Sequence, residues 1–142
     1  MKLPDANLLL YAADASSPHH DGSRRWLEET LSGTESVGFA WLVLVAFVRI
    51  STNPRVMAEP FDVNEAIDMV ESWLGRPNAS TVSPTERHTE VWRNLLDRVG
   101  AGGNLTSDAH LAAVAIEHGA ELRSADNDFA RFPGLRWVNP LA

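Results

Sequence analysis

The chain alternates between short apolar runs and longer stretches in which apolar residues recur every three or four positions, the marks of buried strands and amphipathic helices. Lys2-Leu3-Pro4-Asp5 reads as a very short strand, followed by a helical run from about Asn7 to Ala13 with Asp5 placed to cap it. Trp26, Leu27 and Leu31 share one face of a helix over His19–Leu31, entered past Pro18 and left at Gly33. Ser36–Phe39 is a second short strand. The block Trp41–Val48 is apolar throughout, so periodicity leaves strand and helix equally open, and Asn53-Pro54 closes it. Phe61–Trp73 reads as a helix with Val63, Ile67, Val70 and Leu74 on one face, ended by Pro77. Ser80–Ser83 is a third strand. Val91, Trp92, Leu95, Leu96 and Val99 mark a helix that stops at Gly100, and Gly100–Gly103 reads as a flexible loop. Leu105–His118 is apolar nearly all round, which predicts a buried helix, with Gly119 capping its end. Glu121–Ser124 is a fourth strand and Leu135–Val138 a short fifth.

Strands separated by helices in this way imply βαβ units and a three-layer α/β/α architecture on a short central parallel sheet of four to five strands, one domain over residues 1–142. Sites in such sheets form at the carboxyl ends of the strands. Asp5 falls after the first strand, Asp108 opens the buried helix, and Asp126 with Asp128 follows the fourth strand.

Composition narrows the chemistry. The absence of cysteine rules out disulfides, thiolate zinc sites and cysteine nucleophiles, so any metal must be held by oxygen or imidazole. A formal net charge of −7 opposes non-specific attraction to a nucleic acid, so an RNA substrate would need local cations. The apolar stretch Phe39–Val48 is too short for a bilayer, which takes about 20 residues, and the N-terminus carries no clear cleavage site. A cytoplasmic protein without a membrane partner is expected.

Carboxylates gathered in a dry cleft repel one another unless a cation joins them or one takes up a proton. Each acid also has a plain structural explanation. Asp5 alone is most simply a helix cap, Asp108 favours the positive end of a helix dipole, and Asp126 and Asp128 could form a turn. Their joint placement is what those explanations do not require. A divalent ion that prefers octahedral oxygen ligands, such as Mg²⁺, fits a set of this kind and suits phosphodiester hydrolysis. His19, His20, His88, His110 and His118 are scattered without the helical spacing of a zinc site, although His110 lies two residues from Asp108. Trp26, Trp41, Trp73, Trp92 and Trp137 fall mostly on apolar helix faces, and the surface left by the helices carrying Trp26 and Trp73 is compatible with a dimer. Arg49, Arg55 and Arg131 are candidates for phosphate contact.

Four segments carry a resemblance: Leu3-Pro-Asp5-Ala-Asn7, Phe47-Val-Arg49 running on to Arg55, Gly103 through Asp108 to Ala113, and Ser124-Ala-Asp126-Asn-Asp128-Phe. In order and separation, from residue 3 to residue 140, they resemble the PIN-domain toxins of the VapC type, in particular the mycobacterial-style subgroup. The resemblance implies the toxin of a type II toxin–antitoxin pair, a Mg²⁺-dependent (or Mn²⁺-dependent) endoribonuclease that cuts tRNA or rRNA, forms a homodimer and is blocked by a small VapB-type antitoxin. Position by position, Asp5, Asp108 and Asp126 match the catalytic and metal-binding acids. Asp128 matches a water-mediated ligand, and Ser124, Arg49 and Arg55 are expected at the substrate. One acid of the pattern is missing: a glutamate belongs near Ala46, yet the chain has no Asp or Glu between Glu35 and Glu59. That gap opens a second reading, a catalytically weak domain that binds RNA or its antitoxin without turnover. A phosphoryl-accepting receiver domain is a third, opposed by the lack of any lysine after Lys2.

Overall fold

The computed structural model describes residues 1–100, 102–103 and 105–142. In chain order its elements are β1 (Lys2–Pro4), α1 (Ala6–Ala13), α2 (His20–Leu31), β2 (Val37–Ala40), α3 (Trp41–Ser51), α4 (Val63–Leu74), β3 (Ala79–Val82), α5 (His88–Val99), α6 (Leu105–Glu117), β4 (Glu121–Arg123), the 3₁₀ turn η1 (Asn127–Arg131) and β5 (Trp137–Val138). The five strands form one sheet in the order β3-β2-β1-β4-β5, and every pairing is parallel. β2 is buried at all four positions, as a strand covered on both faces must be. The expected three-layer α/β/α arrangement is present. From β1 the chain moves outward through β2 to β3, then crosses back to β4 and β5 on the other side. With right-handed crossovers, that reversal puts α1–α4 on one face of the sheet and α5 and α6 on the other. The packing agrees, since α1 lies on α2 and α3, α3 on α4, and α5 on α6.

The ambiguous block Trp41–Val48 is helical. Val43, Leu44, Phe47 and Ser51 are buried, a stripe at helical spacing, while Trp41 and Val45 are 53% and 59% exposed. A strand would instead have turned alternate residues inward. Phe47 and Phe39 both pack on Trp73, with ring centroids 4.8 and 6.2 Å away. Trp73 belongs to the core. One expectation is corrected: the buried face of α4 is Ala66, Val70 and Trp73, leaving Val63 and Ile67 exposed. Asp62 and Glu65 close a capping box that starts the helix at Val63, and the packing of Trp73 on Phe39 and Phe47 sets which face turns inward. Gly100 ends α5 in the left-handed conformation at φ 65°, where a side chain would be strained. Of the Gly100–Gly103 segment read as a flexible loop, Ala101 lies outside the described residues, as does Asn104 of the next motif.

Candidate metal centre

The strand order reverses between β1 and β4, and the carboxyl ends of these two strands define the crevice where parallel sheets place their ligands. Asp5 leaves β1 there. Its N–H donates to the Arg123 carbonyl at 2.9 Å, continuing the ladder with β4 for one residue. Its own extended backbone starts α1, with Oδ1 accepting from the Ala6 N–H at 2.7 Å. The cap reading of Asp5 is therefore correct, and it leaves the second carboxylate oxygen to be held from across the crevice.

Ser124, just past β4, does the holding. It is fully buried, and its hydroxyl donates to Asp5 Oδ2 at 2.8 Å while accepting from Asn7 Nδ2 at 3.1 Å and from the Asp126 N–H at 3.0 Å. Asn7 also takes the Ala125 N–H on its Oδ1 at 3.3 Å. One serine thus sets two acids at once. Burial and three hydrogen bonds occupy the Ser124 hydroxyl in this arrangement, where it holds the acids. The sequence alone assigns Asn7 no role; its spacing from Asp5, at the second position of α1, is the signal that points to it.

Asp126 caps η1, its side chain accepting from the Asp128 N–H at 2.9 Å. Asp108 projects from the first turn of α6. Carboxylate oxygens of Asp108, Asp126 and Asp128 lie within 4.8 Å of one another, and no other group of this kind occurs among the described residues. Asp5 lies outside that trio but lines the same cavity as Asp108, together with Ala6, Leu42, Val43, Ala46, Arg49, Ser107 and Leu111; the cavity measures about 170 Å³. The crowding has an electrostatic cost. Burial pushes the Asp108 carboxyl up to about 6, with the charges of Asp126, Asp5 and Asp128 adding to it. Burial likewise raises Asp5 above the usual carboxylate range, against the lowering effect of its bonds from Ser124 and Ala6 and with help from the Asp126 charge. Four carboxylates gathered here fit a hard divalent cation: three share one focus, and none has a basic side chain as a salt-bridge partner among the described residues.

The remaining candidates divide. Arg49 is exposed at the cavity edge, near the end of α3. Arg55 lies on the exposed loop after α3, its N–H bonded to Asn53 and its side chain absent from the cavity lining. Arg131 ends η1, exposed. His110 turns away from Asp108 and joins α5, its Nδ1 2.8 Å from His88 Nε2, while His88 Nδ1 lies 2.6 Å from Glu117 Oε2.

A doubly wound parallel sheet with a carboxylate cluster at its switch point defines an α/β protein with an acidic candidate site at its carboxyl edge. The chain belongs to the PIN-domain family, whose sequence model matches residues 2–135, and within it to the VapC group. It is 49% identical over 142 residues to the protein named Ribonuclease VapC37 of Mycobacterium tuberculosis, covering 100% of this chain and 99% of that one. Ribonuclease VapC33 of the same organism is 41% identical over 141 residues, with 99% of each chain covered. Among solved structures, the fold matches VapBC2 from Rickettsia felis, bound to a DNA fragment from its promoter, with a TM-score of 0.71 at 18% identity over 97% of both chains. It also matches VapC20 of Mycobacterium tuberculosis, described as a toxin cleaving the sarcin–ricin loop, with a TM-score of 0.68 at 16% identity over 96% of this chain and 99% of that one.

Proposed function

We infer that the chain is the toxin of a type II toxin–antitoxin system, an endoribonuclease, and that it is metal-dependent, with Mg²⁺ the working ion and Mn²⁺ a substitute. The observation that carries this reading is the convergence of Asp108, Asp126 and Asp128, beside Asp5, in a chain aligned end to end with proteins named as ribonucleases. Asp5, Asp108 and Asp126 hold the ion, and Asp128 completes its surroundings, directly or through water. When bound, a divalent ion at these acids supplies Lewis acidity toward a phosphate oxygen and neutralises developing charge.

The chain's own groups do the rest. Ser124 and Asn7 fix the Asp5 carboxylate across the crevice, so its orientation does not have to be found during the reaction. The apolar side of the cavity, Leu42, Val43 and Leu111, limits water at the phosphate. Arg49 contacts the substrate phosphate, with Arg55 a more distant contact. The substrate is RNA, with tRNA or rRNA its class. A VapB-type antitoxin is the proposed inhibitor and a homodimer the proposed assembly; exposed Trp41, Val45 and Ile67 beside a groove of about 320 Å³ supply apolar surface for a protein partner. No described helix is long and apolar enough to cross a membrane, and a cytoplasmic location is proposed.

The test is cleavage of total bacterial RNA by the purified, antitoxin-free chain in Mg²⁺, Mn²⁺ or EDTA, beside Asp5→Asn. Discrete fragments that vanish with EDTA and with the substitution are the expected result. Intact RNA under every metal condition, from folded protein, would replace this reading with binding without turnover.

A further inference from the structure

We propose that this site is built for one divalent ion and that the Arg49 guanidinium takes the place of a second, meeting the scissile phosphate from the opposite side of the cavity. The proposal rests on the nuclease reading above and adds to it a division of charge between metal and side chain.

The cavity is unevenly lined. Its side-chain oxygen donors come from the end of β1 and the first turn of α6, Asp5, Ser107 and Asp108, and Asp108 joins the cavity to the oxygens of Asp126 and Asp128 beyond β4. The facing wall is α3, and it offers Leu42, Val43 and Ala46, with no oxygen-bearing side chain. Two-metal phosphodiesterases place their ions about 3.5–4 Å apart and need carboxylates around both. Here the oxygens of Asp108, Asp126 and Asp128 share a single focus within 4.8 Å. Asp5, the remaining acid, already accepts hydrogen bonds from Ala6, Ser124 and Asn7. A second ion toward α3 would rest on methyl groups.

What α3 does bring to that wall is a cation. Arg49 lies one helical turn beyond Ala46, lines the cavity, and among the described residues forms no ion pair with any carboxylate. An arginine at the rim of an acidic pocket ordinarily pairs with one of the acids; this one stays available. Its planar fork matches two phosphate oxygens, and its charge persists at every working pH. Among the described residues it is the one Lys or Arg lining the cavity, in a chain with a formal charge of −7, so it supplies a local attraction for a polyanion there. Arg49 is thereby a catalytic residue in the strict sense, touching the phosphate that is cut.

The experiment counts Mn²⁺ bound per full-length chain, by electron paramagnetic resonance of the free ion, and measures RNA cleavage at saturating Mn²⁺. One ion per wild-type chain is expected, and two in Ala46→Glu, which gives the α3 wall its carboxylate. Arg49→Ala should still bind one Mn²⁺, as tightly or more so, yet lose roughly 100-fold in cleavage through kcat, the size of removing one charged donor at a transition state. Arg49→Lys should recover part of that loss. Two ions in the wild type, one ion in a folded Ala46→Glu, or wild-type cleavage by Arg49→Ala would each overturn the proposal. A wild type that binds Mn²⁺ but cuts no RNA would instead overturn the nuclease reading on which it rests.

Discussion

Helix α6 carries a cluster of ionisable groups at each end, and the two are built on opposite terms. At its start, Asp108 meets Asp126, Asp128 and Asp5 with no cation to answer them. Near its end, Glu117 accepts from the Thr85 N–H and hydroxyl at 2.8 and 2.7 Å and pairs with His88, which continues to His110 and lies against the Trp92 ring. Burial would raise Glu117, but the bonds from Thr85 and His88 outweigh it and hold the carboxyl below its usual range. Burial, with the His88 charge, keeps His110 below the usual imidazole range. The second cluster is complete in itself and ties α5 to α6. The first is incomplete, and that incompleteness makes it a candidate for binding something. Strain in an acidic site that only a ligand relieves is the expected signature of function, whereas satisfied polar networks serve the fold.

The largest expected effect separates the ends by swapping one oxygen for nitrogen in each. Asp108→Asn should cut RNA cleavage roughly 10³-fold, the order of a lost electrostatic contact in a transition state. In EDTA the same variant should melt a few degrees higher than wild type, since it removes a repelled charge worth on the order of 1 kcal/mol. Glu117→Gln should do the reverse, lowering stability by about 2 kcal/mol through the loss of charged hydrogen bonds while cleavage persists. Thermal melts and RNA gels on the same two proteins check this; a drop in melting temperature for both variants would erase the contrast.

Next in size is the dependence on pH, where the ends again oppose each other. Asp108 in the folded chain titrates at about 6 against 3.8 unfolded, so between these values the fold holds a proton that the unfolded chain has released. Its contribution to stability is present below pH 3.8 and is lost as pH rises to about 6. Asp5, also raised, adds in the same direction. Glu117, lowered from 4.5, contributes stability above that value and loses it as pH falls through its folded pKa. Melting temperature against pH in EDTA should therefore decline less steeply from pH 4 to 7 in Asp108→Asn than in wild type, and the acid-side loss should shrink in Glu117→Gln. Mn²⁺ must displace the Asp108 proton, so its affinity should fall below about pH 6.

The two clusters also differ in how far the sequence disclosed them. Asp5, Asp108, Asp126 and Asp128 were legible because each sits beside a strand end or helix start that periodicity located, and a parallel sheet brings such positions to one edge. The histidine network was invisible: His88 is far in sequence from His110 and Glu117, which share α6, and only the packing of α5 on α6 brings it to them. Between these extremes stand Ser124, whose place after β4 is legible but whose burial is not written in its neighbours, and α3, whose uniformly apolar start hides its period. The buried face of α4 departs from its apolar periodicity at Val63 and Ile67, because packing on Phe39 and Phe47 turns Trp73 inward.

The smallest expected effect tests whether satisfaction of polar groups governs the rest of the fold as it governs the end of α6. Ser51 is buried at the last turn of α3, and its hydroxyl has no hydrogen-bond partner in the structure. A serine there leaves a desolvated oxygen in a stripe otherwise made by Val43, Leu44 and Phe47. Ser51→Ala removes that oxygen without opening a cavity larger than one atom, so stability should rise by up to about 1 kcal/mol, and cleavage should stay unchanged. Denaturant melts of the two proteins give the sign directly. A loss of stability would mean that Ser51 meets a bound water or the neighbouring backbone in solution, and α3 would then be held by a polar contact at the same end that presents Arg49 to the cavity.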